Sequence, residues 1–214
     1  DYLQNNKELD KIAYDVITSH GAIPSFLNYN GYPASICASI NEVVIHGIPS
    51  SKQILKDGDI ISIDIGANYK GYHGDCARTW PCGNVKSDRL KLIEVTEQSF
   101  FEGLKYAHPG NRLSDISHAI EMYAKKFNYG VVRDFTGHGV GSKLHEDPAV
   151  PNYGKEGMGP VLRKGMTLAI EPMINMGTYK VKILADGWTT ITSDHSPSAH
   201  YENSIVITDN GYEI

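Results

Sequence analysis

The stretch Leu55-Lys56-Asp57-Gly58-Asp59-Ile60-Ile61-Ser62-Ile63-Asp64 aligns without gaps on Leu162-Arg163-Lys164-Gly165-Met166-Thr167-Leu168-Ala169-Ile170-Glu171, 107 residues further on. Both copies end in a carboxylate, and the spacing is half of the 214-residue chain. A period of that size points to a duplicated unit, because solenoid repeats are far shorter, roughly 20–50 residues. Each copy alternates like a strand, which places its acid on the face carrying small residues: Ser62, Asp64 and Gly66 in one, Thr167, Ala169 and Glu171 in the other. The expectation is two facing acids with space left around them.

The surrounding text is mixed. Residues 7–20 read as a helix, with Leu9, Ile12, Ala13, Val16 and Ile17 at helical spacing and Gly21 as a stop. Ser87 is the expected cap of a second helix through Leu90, Ile93, Phe101 and Leu104 that ends before Pro109 and Gly110, and Ser114 the cap of a third, Ile116 to Phe127, closed by Gly130. Ser39–His46, Ile60–Gly66, Tyr72–Trp80, Thr167–Asn175 and Ser204–Thr208 are rich in branched residues and bounded by Gly, Pro, Asn or Asp, as strands are. The class is α+β. No linker or low-complexity tract cuts the chain, so residues 1–214 read as one domain. Its first half offers one helix where its second offers two.

Composition narrows the partners. With 41% hydrophobic and 21% charged residues the chain sits among soluble globular domains. Lys plus Arg number 20 against 25 Asp plus Glu, so no basic field exists to hold a nucleic-acid backbone. No stretch approaches the ~18 apolar residues of a membrane span, and the polar, acidic start is unlike a secretory signal. Cys37, Cys76 and Cys82 form an odd set without paired spacing, which suits a reduced compartment. The expected location is cytoplasmic.

Five residues then stand out. Asp64 lies inside a strand, where Asp is depleted. Asp75 follows Gly71-Tyr72-His73-Gly74, read as a hairpin turn that returns a second acid beside the first. His138 sits in Thr136-Gly137-His138-Gly139-Val140-Gly141, whose glycines would let the backbone approach a ligand closely. Glu171 precedes Pro172, and Glu202 opens the apolar run Ile205–Ile207. Taken singly each has an ordinary reading: an acid satisfied by backbone donors, a turn Asp, a locally bonded His, a solvated strand end. Taken together, four acids in one core would repel one another without cations. Two divalent metals resolve that conflict. An oxygen-rich set with one imidazole favours Mn, Fe(II) or Co, with Zn also accommodated. Paired metals of this kind serve hydrolysis by acidifying a water.

The residues Tyr32-Pro33-Ala34-Ser35-Ile36-Cys37-Ala38-Ser39-Ile40-Asn41-Glu42-Val43-Val44-Ile45-His46-Gly47-Ile48-Pro49, then Asp64 and Asp75, then Gly137-His138-Gly139-Val140-Gly141 with His145, then Ile170-Glu171-Pro172-Met173, Asp186-Gly187-Trp188 and Glu202, resemble the type I methionine aminopeptidases of the pita-bread metallopeptidase family. The resemblance covers nearly the whole chain. It implies two half-domains related by a pseudo-twofold around a curved antiparallel sheet, which agrees with the internal echo. It also implies that Asp64 and Asp75 bind one metal and Asp75, His138, Glu171 and Glu202 the other. Glu171 would handle the proton, and His46 and His145 would flank the substrate amide. A methionine side chain would enter a pocket of Tyr29, Tyr32, Cys37 and Trp188, with Phe26 adjacent. Asn41, Val43 and Ser198 match a monovalent-cation site of some relatives.

The implied function is removal of the initiator methionine from nascent chains at the ribosome by a cytoplasmic monomer, with no membrane or direct nucleic-acid partner. The rivals are a proline-directed peptidase of the same fold and a non-catalytic peptide-binding module. The 33 residues from His138 to Glu171 leave no room for the helical insertion of the type II enzymes. The chain departs from the family at Leu144, where an aromatic is common, at Cys76, and at Asn203-Ser204 in place of His-Thr. It also enters at its first helix, without the further N-terminal helix of the resembling enzymes.

Overall fold

The computed structural model describes residues 5–214. In chain order the described residues form helix α1 (Asn6–Ser19), strands β1 (Ile23–Pro24), β2 (Ile36–Ile40), β3 (Val43–Ile45), β4 (Ile60–Tyr69) and β5 (Tyr72–Pro81), then helices α2 (Ser87–Leu104) and α3 (Leu113–Lys125). Strands β6 (Gly130–Val131), β7 (Gly137–Gly139), β8 (Glu146–Val150), β9 (Thr167–Ile170), β10 (Met173–Asn175), β11 (Val181–Ile183), β12 (Thr190–Thr192), β13 (Ser198–His200), β14 (Glu202–Ile207) and β15 (Tyr212–Glu213) follow.

The large sheet runs β1-β4-β5-β14-β9-β7-β8, with β2 joined to β4 and β15 to β14, and every pairing in it is antiparallel. The two copies of the internal echo run into β4 and β9. These strands flank the central β5–β14 pair on opposite sides, which is the placement a duplicated unit requires. Two three-stranded sheets, β13-β10-β6 and β11-β12-β3, complete the strand structure.

The alternation of the strands sorts the faces. On one face of the first half, Ile61 and Ile63 of β4 join Ile36 and Ala38 of β2 and are covered by Leu9 and Ala13 of α1. In the second half, Leu168, Ile170, Ile205 and Ile207 of the sheet meet Phe100 and Leu104 of α2 and Ile116 and Ile120 of α3. Burial of such side chains contributes ~1.5–3 kcal/mol each. The opposite face carries the small and acidic residues.

The stripe of α1 is only partly covered, with Ile17 buried while Ile12 is 51% and Val16 53% exposed. Several local expectations are corrected. Helix α3 starts at Leu113, with the Asp115 carboxylate accepting from the Arg112 N–H at 2.8 Å. Ser114 does not cap it, because its hydroxyl instead accepts from the Met158 N–H at 2.6 Å and ties down the loop before β9. Ser87 is likewise the first residue of α2 and not its cap, a place taken by Lys86. Ser39–His46 is two strands, broken at Asn41, whose φ of 52° turns the chain from the large sheet into a small one. Thr167–Asn175 also divides, with β9 and β10 in different sheets and Glu171-Pro172 at the crossing.

Candidate metal centre and substrate cavity

The turn between β4 and β5 is Lys70-Gly71 and not Gly71–Gly74, since Tyr72, His73 and Gly74 already belong to β5, and both turn residues have positive φ (52° and 89°). Such a two-residue turn fits the twist of a hairpin. It sets the register Gly66↔Asp75 and Asp64↔Ala77. Residues paired in this way share a face, so Asp64 and Asp75 are diagonal neighbours on the small-residue face. The register continues across the sheet. Ala77 pairs with Glu202, Ser204 with Ala169, and Ala169 with His138. One face therefore carries Asp64, Asp75, Glu202 and His138, with alanines and a serine between them.

Glu171 and Glu202 occupy matching places, each where the chain passes between the large sheet and the sheet containing β10 and β13. The Tyr201 N–H donating to the Pro172 carbonyl at 3.2 Å ties the two crossings together. The glycines around His138 have a different purpose from the one expected. A Cβ on Gly137 would lie 2.3 Å from the Ala169 carbonyl oxygen and one on Gly139 2.3 Å from that of Asp147. They permit close packing of neighbouring strands, and that packing fixes His138.

The functional groups converge. His138 Nε2 is 3.5 Å from Glu171 Oε1 and 4.0 Å from Asp75 Oδ2. Donor atoms of Asp75, His138 and Glu202 lie within 4.8 Å of one another, as do those of Glu171, His200 and Glu202. Asp64 belongs to neither triad by that measure. Asp75, His138, Glu171 and Glu202 are all buried. Asp64 Oδ1, Asp75 Oδ1 and Glu202 Oε1 are shielded from solvent and lack hydrogen-bond partners.

Such groups are costly unless a cation compensates them. Burial pushes the Asp75 carboxyl up to about 7. Burial, then the Asp75 and Glu171 charges, raises Asp64 well above the usual range. Glu171 and Glu202 are raised for the same reasons, burial first and the charge of Asp75 next. The orphaned oxygens, the mutual repulsion and the His138 imidazole beside the acids fit hard or borderline divalent cations.

A cavity of about 290 Å³ opens over this face. Its acidic end is lined by Asp64, Asp75, His138, Glu171 and Glu202, and its apolar end by Phe26, Tyr29, Tyr32, Cys37, Leu144 and Trp188. Phe26, Tyr32, Cys37 and Leu144 form one buried cluster with Ala34, against which Tyr29 and Trp188 pack. The Tyr32 hydroxyl donates to the Ile36 and Gly47 carbonyls, both at 3.0 Å, so its ring is fixed edge-on to Trp188 at 5.1 Å.

His46 and His145 line the same cavity. His46 has a φ of 58°, a strained conformation for a residue with a side chain, of the sort that gathers at functional sites. Its ring lies edge-on to Phe135 at 5.6 Å and to Trp188 at 6.0 Å. His145 is at the exposed rim, with Nδ1 2.8 Å from the Tyr29 hydroxyl and its ring 4.2 Å from that of His138. Desolvation lowers both histidines to about 4, with the His138 charge adding to the effect on His145. Both are neutral at neutral pH.

Elsewhere, the Ser198 N–H donates to the Asn41 carbonyl at 2.8 Å, which brings two of the three cation-site residues together. The Asn41 side chain is already committed to Asp59, Ile60 and Arg89. His200 is a member of the site that the motifs do not single out. It is two residues before Glu202, the strand spacing that returns a side chain to the same face, so the sequence holds a signal for it. Phe135 is another, and its contact with His46 is set by tertiary packing and has no local signature.

No helix among the described residues is long and apolar enough to cross a membrane. The sequence pattern of the metallopeptidase family M24 matches residues 4–209. A methionine aminopeptidase of Clostridium acetobutylicum is 57% identical over 207 residues, covering 97% of this chain and 83% of the relative. Methionine aminopeptidase 1 of Bacillus subtilis is 56% identical over 210 residues, covering 98% and 84%. Among solved structures, methionine aminopeptidase from Thermotoga maritima superimposes with a TM-score of 0.98 at 43% identity, covering 99% of this chain and 85% of that one. The prolidase from Pyrococcus furiosus superimposes with a TM-score of 0.77 at 23% identity, covering 99% of this chain and 55% of that one, a likeness of fold alone. The fold is the curved antiparallel pita-bread architecture, and the chain belongs to metallopeptidase family M24.

Proposed function

We propose that this chain is a methionine aminopeptidase, removing the N-terminal methionine of peptides and nascent proteins at a centre of two divalent metals. The observation that carries this reading is the one cavity in which four carboxylates and His138 adjoin an aromatic pocket. Asp64 and Asp75 would hold one ion and Asp75, His138, Glu171 and Glu202 the other. When bound, the ions lower the pKa of a water toward ~7 and polarise the scissile carbonyl.

The protein's own residues supply the rest. Glu171, buried and facing the cavity, takes a proton from the attacking water and passes it to the leaving amine. His145 Nδ1 is 2.8 Å from the Tyr29 hydroxyl, and in the tautomer where that hydroxyl donates, Nε2–H is free to stabilise the developing oxyanion. His46, neutral and held between Phe135 and Trp188, steadies the amide. The ring edges of Tyr32 and Trp188 beside the Cys37 thiol suit a flexible thioether. Carbonyls near Asn41, Val43 and Ser198 would hold a monovalent cation as a structural support. The nascent chain at the ribosome is the expected substrate and the cytoplasm the expected compartment.

Mass spectrometry of a Met-Gly-Met-Met-type peptide and an Xaa-Pro peptide, each incubated with metal-loaded protein, tests the reading. Release of methionine from the first with the second intact supports it. Preferential cleavage of the Xaa-Pro bond would make the chain a proline-directed enzyme instead.

A further inference from the structure

His200 is buried, and its Nε2 is shielded from solvent with no hydrogen-bond partner. That nitrogen is 3.7 Å from Glu171 Oε2 and 3.9 Å from Glu202 Oε2. Glu171 is thus flanked on both sides, with Oε1 toward His138 and Oε2 toward His200. The two histidines differ in one respect. His138 lines the cavity together with the four carboxylates, whereas His200 does not. His200 therefore sits beside Glu171 and Glu202 without lining that cavity.

Its backbone is clamped. The His200 N–H donates to Thr79 Oγ1 at 2.9 Å, and the Thr79 hydroxyl is also 2.9 Å from the His200 carbonyl it donates to. Register with Met173 on β10 fixes the strand from the other side. A backbone so held fixes the point from which the imidazole reaches Glu171 and Glu202.

We propose that His200 is a positioning residue of the metal centre, whose Nε2–H holds the carboxylates of Glu171 and Glu202 by Oε2 of each. The inference rests on the metal centre described above and deepens it. A carboxylate that gives one lone pair to a cation keeps others free, and a donor fixed beside it sets the angle at which it meets the ion. At 3.7 and 3.9 Å the contacts are slightly longer than hydrogen bonds, and closure onto either oxygen needs only a small side-chain shift once the carboxylates are ionised by a cation. Two carboxylates that share one donor are also kept in register with each other. This arrangement gives His200 an effect on metal affinity and on Glu171 through the two carboxylates.

The experiment is metal binding by calorimetry to the full chain and to His200→Leu, His200→Ala and His200→Gln, with the visible spectrum of the Co(II) forms recorded in parallel. Thermal unfolding selects the variants that keep the fold. Loss of such a partner typically weakens metal binding or activity ~10- to 100-fold, which is the loss expected for the Leu and Ala variants. His200→Gln keeps an N–H donor and should recover most of it, with a Co(II) spectrum like that of the wild type. Wild-type affinity in folded His200→Leu or His200→Ala overturns the proposal. So does a folded His200→Gln as weak as the Leu variant, or a Co(II) spectrum showing that the Gln variant has lost a nitrogen ligand. A wild-type chain that takes up no metal overturns the metal centre itself, a result distinct from these.

Discussion

Cys37 and Asp64 stand directly opposite each other where β2 pairs with β4. Side chains of such a pair share a face with their Cβ atoms roughly 4.5–5.5 Å apart. One register thus joins the apolar pocket to the acidic centre. Burial, and then the Asp64 charge, pushes the Cys37 thiol well above its ordinary range, so it packs as a small apolar group. The expected consequence is selectivity. Peptides beginning with Met should be cleaved well ahead of those beginning with Leu or Ala, and a methylene in an apolar pocket alone gives ~10- to 200-fold. Trp188→Ala, which opens one wall of the pocket, should raise KM for Met peptides and narrow the ratio, as steady-state kinetics on the peptide series would show. Equal cleavage of Leu and Met peptides by the wild type would reject this pocket.

His138→Ala and Glu202→Ala each remove a buried member of the same triad. Elemental analysis after gel filtration should find less bound metal in both than in the wild type, with activity falling in parallel. Full occupancy in either variant would remove that residue from the ligand set.

His145 is close to His138 yet lies at the rim, 2.8 Å from the Tyr29 hydroxyl through Nδ1. His145→Ala should therefore retain metal while kcat falls ~100- to 1000-fold, the usual cost of losing one oxyanion donor. A fully active variant would show that His145 has no part in the reaction.

Much of this is legible in the sequence. The period-2 alternation in Ile60–Gly66 already puts Asp64 on the small-residue face, and the echo at Glu171 foretells the symmetric strand β9. What local patterns do not give is the crossing of two strands between sheets at Glu171 and Glu202, since Pro172 marks a break without saying where the chain goes next. The start of α3 escapes a local reading because Ser114 is an equally good partner for a distant N–H, and a tertiary contact wins. The glycines flanking His138 suggest ligand approach because sequence alone does not distinguish a close ligand from a close strand.

The metal-free chain should lose stability as pH rises above 6.5. Asp75 titrates at about 7 in the fold against an ordinary 3.8, raised mainly by burial, and Asp64, Glu171 and Glu202 are raised as well. A carboxyl whose folded pKa is raised contributes stability that is complete below its unfolded pKa and is lost as pH climbs through the folded one. His46 and His145 at about 4 and His200 at about 3 act in the opposite direction, but their effect is complete by the ordinary histidine value of 6.5. The window from about pH 6.5 to about pH 8 therefore isolates the acids. Thermal midpoints of chelated protein should fall across that window, and saturating Mn(II) should reduce the fall. A midpoint that rises in the chelated protein contradicts the raised carboxyls.

In the proposed reading catalysis depends on metals held by Asp64, Asp75, His138, Glu171 and Glu202. The most direct measurement is methionine release by chelated protein, shown by elemental analysis to hold no metal, during stepwise addition of Mn(II), Fe(II) or Co(II). No turnover is expected at the start, with recovery as metal is taken up. Full activity in the metal-free protein would contradict that dependence.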